Sequence, residues 1–452
     1  MEEKKLRKEI TRMLAVERMM QGKSQQEMAE GLGTNKSNIS RIENGRQNIS
    51  VDYIQDIADF LGKSVSFVME NAKLPTLEST IYYLKLYDED LVKFRMERKI
   101  GLEVEILWIN EERKKLLPLE LELTEDGLRK WLRKRIVPSN RELVGTIMLS
   151  LGLSLADLKG IIDICMGLSL NDSYWVVPEG FAGTFSEYNL YENPFDEAIS
   201  LIAYTGREYI SRDFKTSPEF TTGGMLRKAW RFFGADSIWL YKGGTEGYAN
   251  SGNEPYCEFY AAQVAEAMGI NHVAYDLENW KGILASKCRL FTDIDTSYIP
   301  IGRIVKTGGI QACLEYYKEL GDNFYQELAS MLVFDAVVLN EDRHFGNFGL
   351  LRNNRTGEIT GPAPVFDNGL SLLCYSMKMD YDHLEEYIKE RSNPYLIDFI
   401  ELARSVMGPI QRTQLRKLIG FKFKESDISN LPSWRLHALE EMIQDRVRML
   451  LS

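Results

Sequence analysis

Histidine is scarce in this chain of 452 residues: His272, His344, His383 and His437 are the only four, too scattered for a zinc centre. The five cysteines, Cys165, Cys257, Cys288, Cys313 and Cys374, are odd in number, far apart and never in a C-x-x-C arrangement. That excludes a disulfide framework and reads as buried thiols. No run of about eighteen apolar residues occurs, and the amino terminus, MEEKKLRKEI, has no apolar signal core. The expectation is a soluble, cytoplasmic protein with no membrane partner. A net charge of -11 argues against a nucleic-acid partner only if it is evenly spread. It is not: residues 1–73 hold twelve Lys and Arg against eleven Asp and Glu, which leaves -12 on the remainder.

What is present begins with four helical patterns. Leu6, Ile10, Met13 and Leu14 point inward over residues 4–21, ended by Gly22. Ser24 caps QQEMAEGL, with Met28, Ala29 and Leu32 inward and Gly33 as its end. Thr34 caps NKSNISRIEN, with Ile39 and Ile42 inward and Gly45 as a left-handed stop; Ser50 starts a fourth helix carrying Tyr53, Ile54, Ile57, Ala58 and Leu61. This spacing resembles the helix-turn-helix of the phage-repressor and XRE family. The resemblance implies that the third helix enters the major groove and presents Asn35, Lys36, Ser37, Asn38 and Arg41, while Gln25 braces a phosphate. One such module per chain implies a homodimer, or a partner, on a palindromic double-stranded operator. The plainer alternative is a helical bundle for protein contacts; the polar and basic exposed face of the third helix, Glu43 apart, favours DNA.

Residues 74–204 read as a connecting α+β module. Lys73 to Thr80 looks like a linker, IGLEVEILWI at 100–109 alternates as a strand, and LELELT after Leu117-Pro118 suggests another. Helices are expected at 126–135 and 140–164. Lys130, Arg133, Lys134 and Arg135 read as a solvated helix face, with phosphate contact as the alternative. Tyr174 and Trp175 are expected to pack this module onto the domain after it.

The centre of the chain is the stretch from Met331 to Leu373. Met331, Leu332, Val338 and Leu339 mark a buried helix delivering the loop Asn340-Glu341-Asp342-Arg343-His344-Phe345-Gly346-Asn347. A strand from Phe348, a turn at Asn353 to Gly357 and a second run at Ala363 to Phe366 lead to Asp367. A carboxylate, an amide five residues later, a hairpin and a second carboxylate are the parts phosphoryl transfer requires: Asp342 as base, Asn347 and Asp367 holding Mg²⁺ on ATP phosphates. Ordinary turn-making is the alternative for each residue singly. Asp335, two helical turns before Asp342 on an apolar helix, is costly unless paired and is expected to accept hydrogen bonds from loop backbone, Arg343 or His344.

D-R-H-F-G-N followed by V-F-D-N-G resembles the catalytic and metal-binding pair of the HipA-type serine/threonine kinases, the toxin halves of bacterial toxin-antitoxin systems. The resemblance covers most of residues 165–452 and includes G-L-S-L-N-D-S-Y-W at 167–175, T-T-G-G-M-L-R-K-A-W at 221–230, Y-K-G-G at 241–244 and C-E-F-Y-A at 257–261. It implies a two-lobed kinase over 205–452, small lobe to about 308, with Asp342 and His344 in the catalytic loop. Lys242, closing the strand SIWLYK, would neutralise phosphate charge with Glu258 of the next helix as its ion-pair partner. A hairpin over 271–277 and 282–291 would complete the small-lobe sheet, and helices are expected at 381–391, 394–407, 411–419 and 434–450. Thr221, Thr222, Gly223 and Gly224 supply hydroxyls and flexible backbone for ATP phosphates in place of a G-x-G-x-x-G loop, and the resemblance implies autophosphorylation at Thr221 or Thr222.

The fold expected is therefore multidomain: an all-α helix-turn-helix domain, an α+β module and a two-lobed α+β kinase-like domain. The function expected is an ATP- and magnesium-dependent serine/threonine protein kinase regulating its own operator. The resemblance implies protein substrates such as an aminoacyl-tRNA synthetase. The alternatives are a repressor whose kinase-like part senses nucleotide, and a small-molecule or lipid kinase.

Overall fold

The computed structural model describes residues 11, 13–19, 21–44, 47, 49–63, 79–98, 102–137, 141–150, 153, 157–206, 216–246 and 250–452. It divides into two compact units, Met1–Thr76 and Leu77–Ser452.

In the first unit, helical residues 13–19 precede α1 (Gln25–Gly31), α2 (Lys36–Glu43) and α3 (Val51–Phe60). Ser24 caps α1 in a reciprocal capping box with Glu27, and Ser50 caps α3, as the sequence indicates. The cap of α2 is Asn35 rather than Thr34: the Asn35 side chain accepts the Asn38 N–H at 2.8 Å, a reach from Ncap to N3. Met28, Ala29, Ile39, Ile42, Ile57 and Leu61 form the core. The expected stop at Gly45 lies outside the described residues.

The second unit opens on a four-stranded antiparallel sheet, order β3-β2-β1-β4, from β1 (Ser79–Leu86), β2 (Glu89–Arg98), β3 (Leu102–Ile109) and β4 (Tyr174–Pro178). Tyr82, Leu84, Leu86, Val92, Phe94 and Met96 alternate into a core shared with α4 (Glu125–Arg133), α5 (Val144–Ser150) and α6 (Leu158–Cys165). Three expectations fail here. The alternating LELELT is not a strand: its backbone turns, the Leu121 N–H donating to Pro118 O at 3.0 Å and the Thr124 N–H to Glu122 O at 2.8 Å, while Glu120 pairs with Arg303 at 3.0 Å and Glu122 with Lys306 at 2.5 Å. The helix expected over 140–164 is two helices, the second started by Asp157 accepting the Gly160 N–H. Arg135 is no solvated cation; it is 3 % exposed and bidentate to Asp172 at 2.7 Å.

After α7 (Phe185–Tyr188) and α8 (Glu197–Thr205) comes a second antiparallel sheet, order β5-β6-β8-β7, formed by β5 (Lys228–Phe232), β6 (Ile238–Gly243), β7 (Tyr275–Trp280) and β8 (Ile283–Arg289). The long helix α9 (Glu254–Met268) packs on it. The hairpin β7–β8 turns at Lys281-Gly282, tighter than the sequence indicates, with Lys281 and Gly282 both at positive φ. β9 (Thr296–Pro300) falls in the stretch assigned to the small lobe, yet pairs with β10 (Gly349–Asn353), which pairs with β11 (Ile359–Pro362). The second hairpin strand thus precedes the expected 363–366, which instead runs extended beside residues 271–273.

The largest core gathers α10 (Gly309–Leu320) and α11 (Asp322–Val338) with the helices that come after the hairpin: α12 (Leu384–Lys389) at its edge, then α13 (Phe399–Val406), α14 (Pro409–Arg416) and α15 (Ser433–Leu451). The helix expected from 394 starts only at Phe399, capped by Asp398. Every residue of α11 from Leu328 to Val338 is buried, as expected of the helix that delivers the loop. Trp175 and Tyr174 do join the module to its neighbours: Trp175 packs in one cluster with Ile238, and Tyr174 Oη accepts from Arg352 at 2.8 Å. The link between the two lobes is fastened from the module as well. Ile294 O accepts from Ser173 Oγ at 2.6 Å, and Tyr87 Oη shares its one proton between Ile294 O at 2.9 Å and the Asp295 carboxylate at 2.8 Å. No helix among the described residues is long and apolar enough to cross a membrane.

Candidate active site

α11 ends where Leu339 turns left-handed (φ 55°), and the chain enters the polar loop. The loop is shaped from within. Asn340 Oδ1 accepts the Asp342 N–H at 3.0 Å, and Asp342 O accepts both the His344 N–H at 2.7 Å and Asn347 Nδ2 at 3.0 Å. Fixing the Asn347 nitrogen this way leaves the amide oxygen, with its two lone pairs, as the end of the side chain that can meet a cation or a hydrogen-bond donor. His344 is exposed, and its Nδ1 accepts the Gly346 N–H at 2.9 Å.

The pairing expected of Asp335 is made with Arg343 and not with His344. Arg343 Nε and Nη2 both lie 3.0 Å from the Asp335 carboxylate, and the guanidinium is fully buried. Its remaining hydrogens go to Asn347 O at 3.2 Å, Phe366 O and Asn368 Oδ1 at 2.5 Å. One side chain therefore ties the Asp342–Asn347 loop to the segment flanking Asp367. Sequence reasoning gave Arg343 only the first of these contacts: Asn347 lies in the same loop, but Phe366 and Asn368 lie beyond the hairpin.

Asp367 itself sits at φ 58°, its N–H donating to Tyr275 Oη at 3.2 Å. Its Oδ1 accepts Lys242 Nζ at 2.6 Å, while Glu258 Oε1 accepts the same ammonium at 2.7 Å. Glu258 Oε2 also accepts the Asn368 N–H at 2.7 Å, so strand β6, helix α9 and the Asp367 loop meet on two side chains. Burial alone would lower the Lys242 ammonium, but the Asp367 and Glu258 carboxylates outweigh it and hold the group well above lysine's ordinary value. Burial likewise opposes ionisation of Asp367, and Lys242 and Lys228 overcome it, holding the carboxyl well below the usual range. Asp342 moves the other way: burial raises it, and the Asp367 charge adds to this against the opposing His344. Two carboxylates in one cleft are thus pushed apart, one firmly ionised and one more basic.

A second lysine was missed. Lys228 lies directly across the strand pair from Lys242, is 7 % exposed, and forms no ion pair among the described residues. Burial and the neighbouring Lys242 lower its ammonium to about 8. Gly224, at φ 86°, lies so near that an added Cβ would sit 2.2 Å from Lys228 Nζ. Gly224 therefore passes close by this ammonium, and the signal lay in the register of β5 on β6, invisible in a local window. Thr221 Oγ1 donates to Leu168 O at 3.0 Å; Thr222 Oγ1 donates to Pro218 O at 2.7 Å and accepts from Trp230 Nε1 at 3.0 Å.

The residues expected on DNA all lie in the first unit. Asn35, Lys36, Ser37 and Arg41 are exposed on α2 and its cap, and Asn38 is half-buried, its Nδ2 on Thr34 Oγ1 at 2.9 Å. Gln25 donates to Glu43 at 2.6 Å, beside the Arg18–Glu43 pair at the same distance.

Residues 14–68 match the helix-turn-helix family model. No curated protein matches the chain. Among solved structures, a chain from the complex of the Shewanella oneidensis MR-1 toxin-antitoxin proteins HipA and HipB with their operator DNA is 13% identical, with a TM-score of 0.50, over 81% of this chain and 96% of its own. The Helicobacter pylori proinflammatory kinase CtkA gives 16% identity and a TM-score of 0.39, over 51% of this chain and 92% of its own.

Proposed function

We propose that this chain, a HipA-like fold carrying a helix-turn-helix domain, is an ATP- and magnesium-dependent serine/threonine protein kinase that also binds its own operator. The observation that carries the reading is the meeting of Lys242, Glu258 and Asp367 on one side of the cleft with Asp342 and Asn347 tied to them through Arg343. Asn347 and Asp367 present an amide oxygen and a carboxylate, the hard donors magnesium takes. The ion's other positions would go to phosphate oxygens and water, as magnesium's octahedral preference requires. When bound, the ion neutralises charge on the phosphates. Asp342, made more basic by its surroundings, receives the proton of the acceptor hydroxyl. Lys242 and Lys228 set two cations side by side for the phosphate chain.

Purified protein incubated with labelled ATP and magnesium, with and without cell lysate, tests this. A labelled protein band is expected; no label at all favours a nucleotide-sensing repressor, and labelled small molecule or lipid favours another acceptor. The same incubation bears on Thr221 and Thr222. In this reading one of them takes a phosphate of about -1.5 to -2 charge, which must leave its carbonyl partner and repels ATP phosphates. Mass spectrometry should find it in active protein and not in Asp342→Asn.

Lys228 makes the reading sensitive to pH. Its ammonium is charged below about 8 and neutral above, so phosphate binding should weaken as pH rises through that value. ATP affinity titrated from pH 7 to 9 is expected to fall, and Lys228→Met should flatten the profile; an unchanged slope removes Lys228 from the phosphate site.

On the DNA side, Lys36→Ala with Arg41→Ala should abolish operator shifts and leave kinase activity untouched. Half-sites about one helical turn apart and steep salt dependence are expected. Wild-type binding by the double variant would place the contact on another face.

A further inference from the structure

We infer that Arg141 and Glu142, in the connecting module, are positioning residues for the phosphate loop at 219–228; as far as nucleotide is concerned, this rests on the kinase reading above. The two are far from the loop in sequence, yet they template it. Arg141 is 2 % exposed and its partner Glu219 is 0 % exposed. The guanidinium donates to Glu219 O at 2.5 Å, to the Glu219 carboxylate, and to Lys228 O at 2.9 Å, so one cation holds both ends of the loop. The other Glu219 oxygen accepts the Trp230 N–H at 2.6 Å, closing the base. Glu142 continues the contact: its N–H donates to Met225 O at 2.8 Å, and its carboxylate accepts the Arg227 N–H and Arg227 Nη2, each at 3.1 Å.

These contacts fall on the segment that carries Thr222, Gly223 and Gly224, the last of them close by Lys228. A loop with two glycines has little rigidity of its own, and backbone donors aimed at a phosphate act only if they are held in place beforehand. Here the holding groups belong to a different layer of the molecule from the sheet bearing Lys228 and Lys242. Arg141 and Glu142 touch no reacting atom. They set where the loop lies, and the loop sets where the phosphates lie.

Glu142 is the useful handle: its side chain is 35 % exposed, and its buried partner Arg227 keeps a second carboxylate, Glu246, at 3.0 Å when Glu142 is shortened. Hydrogen exchange should be compared among wild type, Glu142→Ala and Glu142→Gln. The alanine variant is expected to exchange the amides of 219–228 about tenfold faster, with exchange in α11 unchanged, and glutamine, whose amide oxygen can still accept the Arg227 N–H, should restore most of the protection. In the kinase assay the alanine variant should raise KM for ATP about tenfold while kcat stays within about threefold. Arg141→Lys, which keeps the charge and loses the fork, should shift KM in the same direction. Unchanged exchange in 219–228, or an equal loss in glutamine and alanine variants, overturns the inference, as does a fall in kcat with KM unmoved. Should wild type bind no nucleotide, the kinase reading fails, while the exchange comparison still decides whether the module holds the loop.

Discussion

Asp342→Asn and Asp367→Asn are each expected to leave the fold intact and to reduce phosphoryl transfer by roughly a hundred- to ten-thousandfold. The two losses have different origins. An amide at 342 cannot accept the proton of the attacking hydroxyl, although Asn340, His344 and Asn347 still shape the loop through its backbone. In the kinase reading an amide at 367 would withdraw a carboxylate from magnesium, and it also withdraws one from Lys242, which keeps Glu258 as its remaining partner at 2.7 Å. ATP affinity should therefore drop for Asp367→Asn and be nearly preserved for Asp342→Asn. Labelled-ATP transfer and nucleotide titration, with circular dichroism to confirm folding, measure both. Near wild-type transfer in either variant would remove that residue from its role.

The second large effect is on stability. Arg343→Ala leaves the Asp335 carboxylate, 4 % exposed, without its partner inside α11, and also strips donors from the carbonyls of Asn347 and Phe366. Breaking a buried pair by removing one member costs about 3–5 kcal/mol. The expected result is a fall of that size in the unfolding free energy of the second unit, read by urea titration. The companion variant separates the pair from its geometry: Arg343→Met combined with Asp335→Leu removes both charges and should recover much of the stability, without recovering transfer, because the two loops are no longer joined. A single variant costing under about 1 kcal/mol would mean the ion pair is not what holds the loops.

How far the sequence carried these conclusions depended on distance along the chain. The buried helix, the polar loop, the hairpin and Asp367 were legible because each is specified within a few residues. The Asp335–Arg343 pair was legible for another reason: a carboxylate on an apolar helix needs a partner, and only eight residues separate the two. Lys228 was not legible, since its meaning comes from lying opposite Lys242 across a strand pair. Arg141 was less so, its partner Glu219 being 78 residues away. Of the first sheet, β3 was legible at 100–109, but β1 and β2 were overlooked although Tyr82, Leu84 and Leu86 do alternate, because the charged run around Asp88–Asp90 masks a turn between two long strands. LELELT shows the reverse error, since alternation describes a face and says nothing about whether a neighbouring strand exists to pair with it. The HipA resemblance, carried by motifs spread over most of the second unit, agrees with the fold likeness.

The short passage from the end of β8 to the start of β9 is the chain's own crossing between its two lobes, and the hydroxyls of Tyr87 and Ser173 hold its last two residues, Ile294 and Asp295, by hydrogen bonds. Each such bond contributes about 0.5–1.5 kcal/mol, so any wide rotation of one lobe against the other must first break a strap belonging to neither. The crossing is a splinted joint rather than a free hinge. In the kinase reading, with the joint splinted and the loop from Glu219 to Lys228 pinned at both ends by Arg141, a nucleotide would meet a site assembled before it arrives, and the cost of ordering that site would fall on folding and not on each turnover.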